Sequence, residues 1–427
     1  MTKKNEGAFE FSQAVTEPCG SVLFSKHLEL INRSRLADFA GYLMPLWFSS
    51  ISAEHKAVRE TAGLFDCTHM GVLEVSGDDA GEFLNVIATN DVTKLIDGKA
   101  QYSYILDAAG NVLDDIIIYR INDKKFMVVV NASNEPKIKA YIQAVLDAQV
   151  VINIKNPGKA INMKPVVRNL RDPSCGAEQR VDIALQGPVS VDIISELIEK
   201  AVVKKFRELK PFTFIETKIK DIDVILSRTG YTGAKNSYEI YVHPDNAGEI
   251  WDMILTSGKD TGVLPCGLGS RDSLRIEAGL PLYGHELAGE FNINPFEAGY
   301  GWAVKLEKKF FIGQDAMREK AAGQSMKVVR IALPGEKGVR PARQNDGVLN
   351  SKGECAGWVL SCAKASEKQY SLCYVKIDEM NEGDKANVYY LARSKGQVEN
   401  GKKEKVQPGD ILKANIDGEV VKRFERF

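Results

Sequence analysis

The sequence predicts a mixed α+β chain of more than one domain, and three observations carry that prediction. The chain has 427 residues, beyond the roughly 50 to 250 residues that one domain ordinarily holds, so two or three domains are expected. Its first part interleaves helical and strand periodicities without a regular strand–helix–strand alternation. From about residue 325 the pattern becomes short apolar runs spaced by turns, "MKVVRIALPGEKG", "CAGWVLSCA" and "SLCYVKID", which fits a separate all-β module.

Residues 1–25 read as a polar N-terminal extension. The stretch 53–71, "AEHKAVRETAGLFDCTHMG", places Ala57, Val58 and Ala62 with Leu64 at roughly helical spacing and reads as a short helix running into a turn. A strand follows at "VLEVSG", then a helix at "DDAGEFLNVIAT" with acids in its first turn, which suit the helix dipole. "QYSYILDAAGNVLDDIIIYR" and "KKFMVVVNA" give consecutive strands, and "NEPKIKAYIQAVLDA" a helix. Residues 155–182 are rich in Pro, Gly, Asn and charge and read as an irregular insertion. The core resumes at "IALQGP", with a strand at "SYEIYVH" and a helix at "AGEIWDMILTSG". The expected division is therefore a core over 26–322 and a C-terminal domain over 323–427, the latter carrying a polar insertion over 381–407.

Composition excludes several classes of function. Lys and Arg number 56 against 57 Asp and Glu, so no excess of positive charge supports phosphate neutralisation by a nucleic-acid binder. No apolar run approaches the roughly 20 residues that span a bilayer. The N-terminus shows neither a secretory signal nor a mitochondrial presequence. Seven dispersed cysteines form no C-x-x-C pair, and the five histidines show no ligand spacing, so neither a disulfide framework nor a metal site is expected and a reducing cytoplasm fits.

Chemistry is suggested first by "NVLDDIIIYR" (111–120), where two carboxylates interrupt an apolar strand. Alternation puts Val112, Asp114, Ile116 and Ile118 on one face and Leu113, Asp115, Ile117 and Tyr119 on the other. A strand apolar on both faces is covered on both faces, and a buried carboxylate needs hydrogen bonds or a partner. A strand starting after the turn "DAAGN" would instead leave the aspartates near a solvated edge or bonded to loop amides. In "SYEIYVH" Glu239, Tyr241 and His243 share one face, which on its own also suits a solvated sheet surface. In "GLGSRDSLRIEAGLPLYGHEL" (267–287) Ser270 is placed to cap a helix beginning near Arg271. Arg271 and Arg275 then share a face, with Arg275 expected to pair with nearby acids.

Taken together, these stretches resemble the aminomethyltransferase family, the T-protein of the glycine cleavage system, with its folate-dependent demethylase relatives. The resemblance rests on "EHKAVRETAGLFDCTHMG", "NDVTKLIDGKAQYSYILDAAGNVLDDIIIYR", "VVVNASNEPK", "ALQGP", "SRTGYTGAKNSYEI", "CGLGSRDSLRIEAGLPLYG" and "NPFEAGYGWAVKLEKKFFIGQDA", in the family's order from about residue 28 to 425. It implies a multi-domain α+β folate-binding fold with a ferredoxin-like part and a C-terminal β-barrel domain. It implies that Asp115 is the catalytic carboxylate, that Glu239 receives the pterin, and that Arg271 and Asn131 contact the folate. Met70 and Tyr102 lie at cavity-lining positions. The implied reaction moves a methylene carbon from the lipoyl arm of H-protein, a transient partner, to tetrahydrofolate, with release of ammonia and no metal.

The chain departs from the family pattern in places. "GYTGE" is "GYTGA" here, "FDVSHM" is "FDCTHM", and the end "VVKRFERF" lacks both the usual Pro-Phe and the terminal tyrosine that meets the folate tail. Two alternatives belong beside the transferase: a tetrahydrofolate-dependent O-, N- or S-demethylase, and a non-enzymatic folate-binding iron–sulfur assembly protein. The D-D pair favours the transferase. The assembly proteins carry a cysteine where this chain has Phe310 and Phe311, which argues against the third reading.

Overall fold

The computed structural model describes residues 7–13 and 16–427. The chain forms two compact units. The first comprises 1–230, 234–270 and 303–319; the second comprises 231–233, 271–302 and 320–427.

The first unit is built on two larger sheets. One has five strands in the order Lys99–Leu106, Val112–Asn122, Lys125–Val130, Gly71–Ser76, Val166–Asn169, all antiparallel. The other has six, in the order Phe214–Ile219, Ile222–Ser227, Ser237–Val242, Val181–Gln186, Gly63–Asp66, Leu264–Cys266. The strands are rich in Val, Ile and Tyr, residues that suit a pleated, half-buried surface. Each sheet buries one face under helices. Leu73, Ile116, Ile118, Phe126 and Val128 pack with Phe83 and Leu84 of helix Ala80–Ile87 and with Ile138, Tyr141 and Ile142 of helix Glu135–Leu146. Ile183, Leu185, Tyr238 and Ile240 pack with Ile250, Trp251 and Ile254 of helix Pro244–Ser257. The two remaining faces share a third cluster of Val72, Tyr119, Met127, Val129, Phe214, Ile225 and Tyr241. That shared face positions the site.

In the second unit an antiparallel sheet runs in the order Asn387–Tyr389, Gly347–Leu349, Cys355–Ala365, Lys368–Lys376, Met326–Pro334, Glu419–Val421. Its register slips at Val348/Leu349 and at Val359/Ser361, and such bulges bend and twist a sheet. The run of short strands expected after residue 325 is present.

Four local expectations are corrected. The stretch after helix Ile51–Glu60 is a strand, Gly63–Asp66, before it is a turn. The insertion at 155–182 contains Val166–Asn169, an edge strand held by Arg168 to Glu74 at 2.7 Å; its polarity is that of an edge, which charged side chains protect from further pairing. Helix Leu268–Ala278 starts three residues before Arg271, so Ser270 lies inside its first turn, where its hydroxyl donates to Glu54 Oε2 at 2.9 Å. Leu113 packs with Ile116 and Ile118 rather than sharing the face of Asp115, because the register slips beside it: Ile105 opposes Asp114 but Leu106 opposes Val112.

The polar stretches at both ends also contribute packing. Phe9 lies edge-on to Tyr141 with centroids 4.8 Å apart, and within 381–407 the strand Asn387–Tyr389 buries Val388.

Candidate active site

The sheet that carries them takes Asp114 from solvent and leaves Asp115 half-buried. Asp114 is fully buried. It accepts from the Asn131 backbone N–H at 2.9 Å, from Asn131 Nδ2 at 2.8 Å and from Asn134 Nδ2 at 2.6 Å. Asn131 ends strand Lys125–Val130, and its carbonyl accepts from the N–H groups of Asn134 and Glu135 as the next helix begins. The strand-to-helix turn thus aims two amides at one carboxylate. This burial sets aside a solvated edge for Asp114, whereas its bond from the Asn131 N–H is of the loop-amide kind also expected.

Asp115 points to the other face, as alternation requires. Its Oδ2 accepts from Tyr102 Oη at 2.9 Å and its Oδ1 from Asn131 Nδ2 at 2.8 Å. One Asn131 amide therefore spans both carboxylates. Burial raises the affinity of each for a proton, and the neighbouring Asp115 charge raises that of Asp114 further. Hydrogen bonds from the asparagines and Tyr102 oppose that rise.

Glu239 lies on strand Ser237–Val242, only 8 % exposed, so a solvated sheet face is ruled out. Three hydroxyls converge on its Oε2: Tyr119 Oη at 3.2 Å, Tyr241 Oη at 3.3 Å and Thr229 Oγ1. Burial, and then the Glu239 charge, push both tyrosine hydroxyls well above their ordinary range, so they remain protonated donors. Among the described residues no hydrogen bond engages Oε1. Tyr119 stands on the strand of Asp115, four residues on and on the same face. The strand rise separates their Cα atoms by roughly 13 Å, so a single strand face joins the two carboxylate centres.

The other predicted residues are placed as follows. Met70 closes the turn after Cys67 and packs, partly buried, against the cluster shared by the sheets. Tyr102 is committed to Asp115. Arg271 belongs to the second unit, where its guanidinium lies over the Tyr231 ring at 5.4 Å. Arg275 pairs with Glu286 and with Asp272 at 2.8 Å, the structural role expected of it. Sequence reading missed Asn134, Tyr119, Thr229 and Tyr241 as site residues. The signal for the tyrosines was available, since each shares a strand face with a predicted carboxylate.

A separate concavity of about 500 Å³ is lined by Arg180, Lys220, Asp223, His243 and Glu249 among others. It contains none of the predicted site residues and its rim is mostly exposed charge. Among the described residues no cluster of His, Cys, Asp and Glu has the arrangement of a metal site, and no helix is long and apolar enough to cross a membrane.

The chain is similar to known proteins over most of its length. Residues 30–308 match the family described as the GCVT N-terminal domain. The chain is 39% identical over 328 residues to the aminomethyltransferase of Chlorobium phaeobacteroides, covering 77% of this chain and 82% of that protein. It is 38% identical over 378 residues to the aminomethyltransferase of Symbiobacterium thermophilum, covering 87% and 93%. The crystal structure of glycine cleavage system aminomethyltransferase T from Bartonella henselae superposes with a TM-score of 0.73 at 27% identity, covering 96% of this chain and 99% of that one. With two thirds of its length in the matched domain and relatives aligned over most of theirs, the chain belongs to the aminomethyltransferase family, the T-proteins of the glycine cleavage system.

Proposed function

We propose that Asp115 serves the chemical step of tetrahydrofolate-dependent aminomethyl transfer and that Glu239 anchors the pterin. The transferase activity itself follows from the family. The observation that carries the residue assignment is the single strand face on which Asp115 is held by Tyr102 and Asn131 while Tyr119, four residues on, reaches Glu239. A pterin presents an amino group and a ring N–H, and a buried carboxylate with an oxygen available is the acceptor that such an edge requires.

Tetrahydrofolate supplies N5 and N10, which take the methylene carbon as ammonia and the lipoyl thiol depart, the two N–H protons going to those leaving groups. Asp115 then acts by charge and position. A fixed carboxylate beside a nitrogen that gains positive character stabilises the transition state more than the ground state. Met70 lines the apolar side. The one-carbon donor is the aminomethylated lipoyl arm of H-protein, which docks transiently. The same proposal assigns the enzyme to the cytoplasm, in keeping with dispersed cysteines that form no C-x-x-C pair.

Glu239→Gln tests the anchor. It keeps the shape but turns one acceptor into a donor facing the pterin's own donors, so titration should show binding weakened by about 1.5–3 kcal/mol. Unchanged affinity would remove Glu239 from the site. The donor is tested by incubation with tetrahydrofolate and aminomethyl-loaded H-protein, which should release ammonia and form 5,10-methylenetetrahydrofolate. Formation of 5-methyltetrahydrofolate from a methoxy or methylthio compound, without ammonia, would contradict it.

A further inference from the structure

The hydroxyl groups around Glu239 can make more hydrogen bonds than they have protons. Besides reaching Glu239, Tyr119 Oη lies 2.9 Å from Tyr241 Oη and 3.1 Å from Thr229 Oγ1, while Thr229 Oγ1 is 2.8 Å from Ser227 Oγ. A hydroxyl donates one hydrogen and accepts through two lone pairs. Each of the three can therefore point its hydrogen at the carboxylate or at a neighbouring hydroxyl. The chain Tyr241–Tyr119–Thr229–Ser227 has two satisfied states, one with the protons of the first three on Glu239 Oε2 and one with them passed along the chain to Ser227.

We propose that Tyr119, Thr229 and Tyr241 are positioning residues that fix the Glu239 carboxylate, with Oε1 turned to the ligand, and that release Oε2 when a ligand's own N–H donors arrive. This rests on the assignment of Glu239 as the pterin anchor. The physical need is plain: a carboxylate this deeply buried is costly unless its charge is met by donors. A lysine or arginine in that place would neutralise Glu239 permanently and compete with the ligand. Hydroxyls instead stabilise the charge through bonds that can be exchanged for bonds among themselves, leaving none of their own protons unsatisfied. A two-donor ligand edge can then engage both carboxylate oxygens, although Oε2 is fully engaged without it.

The other titratable groups on the packed elements are few. Asp182, on the neighbouring strand, lies directly opposite Tyr241 and is buried, and its charge helps to keep the Tyr241 hydroxyl protonated. The Cys175 thiol borders the same cluster and is held to the Asn169 carbonyl at 3.2 Å. Neither lies on the strand of Glu239.

Without these donors the Glu239 carboxylate is free to turn away from the ligand. Binding of 5-formyltetrahydrofolate, a stable reduced folate, is measured by titration calorimetry alongside thermal unfolding. The proteins compared are wild type, Tyr119→Phe, Tyr241→Phe, Thr229→Val, Thr229→Ser and Glu239→Gln. The expected result is that the Phe and Val variants bind roughly tenfold more weakly at an unchanged melting temperature. Thr229→Ser keeps the hydroxyl and the wild-type affinity. A packing defect alone would lower the affinity of Thr229→Ser as well, and that result would overturn the proposal. So would wild-type affinity throughout, provided Glu239→Gln has lost binding. If Glu239→Gln binds as wild type does, the anchor itself is refuted and this proposal with it.

Discussion

At the scale of single residues, the adjacent aspartates divide their work because alternation sends them to opposite faces. Asp114 gathers three N–H donors from the turn that starts a helix, whereas Asp115 shares its donors with an open face. Asp115→Asn removes the charge from the reacting side. Turnover should drop at least tenfold, equivalent to about 1.4 kcal/mol, with the melting temperature nearly unchanged, since neutralising Asp115 also removes a desolvation cost. Asp114→Asn should do the reverse to stability, because the new amide turns a donor toward Asn131 or Asn134, at about 1.5–3 kcal/mol. Burial and the Asp115 charge make Asp114 hold its proton, so it is already neutral when Asp115 takes one up, and the acid limb of the pH–rate profile should stay in place in Asp114→Asn. Equal turnover in wild type and Asp115→Asn would end the catalytic assignment. A limb moved to lower pH in Asp114→Asn would show that Asp114 is the charged member of the pair.

At the scale of elements, what could be read in the sequence was what is local. The period-two face that joins Asp115 to Tyr119 is visible in ten residues, and so is the face that joins Glu239 to Tyr241. The slip beside Leu113 is not visible, because a bulge is decided by the partner strand. The edge strand Val166–Asn169 escaped for a similar reason: its pairing lies with residues 73–76, far away in the chain, and its own composition reads as loop. Ser270 misled because a serine in a helix's first turn resembles a cap unless its real partner, Glu54, is known. The end of the same helix is clearer. Gly279 has φ +81°, and the Leu280 N–H bonds back to the Arg275 carbonyl, the wrapped end that glycine permits. A Cβ there would strike the Arg423 carbonyl. Gly279→Ala combines a left-handed backbone cost with a clash against backbone, so it should lose at least about 1–2 kcal/mol in denaturant unfolding. A loss of only a few tenths would mean that the C-terminal strand readily gives way.

At the scale of the whole molecule, the chain enters and leaves each compact unit more than once. Segments 231–233 and 271–302 group with 320–427, and no shift in composition marks those crossings. Local periodicity carries no information about which unit a segment joins, whereas the change of pattern near residue 325 is local and was read. Global stability nevertheless has a legible acid limit in one buried group. Asp66 is packed beneath helix Phe24–Leu30. Burial by itself would raise its carboxyl, but His27 at 3.1 Å, His69 and the Ser21 hydroxyl at 2.6 Å prevail and bring it down to about 2. A carboxyl held below its unfolded value of about 4 contributes stability that is complete above that pH and is lost as the pH falls through its folded value. The displacement corresponds to about 2–3 kcal/mol. His27→Gln removes the strongest opposing partner and leaves the burial, so the carboxyl should rise and the variant should be the less stable protein at neutral pH, with less stability left to lose in acid. Urea unfolding of wild type and His27→Gln, repeated from neutral pH down through the acid range, should show curves that converge as the pH falls. Parallel curves with a constant offset would show that His27 contributes packing against Phe48 and Trp251 and no charge to Asp66.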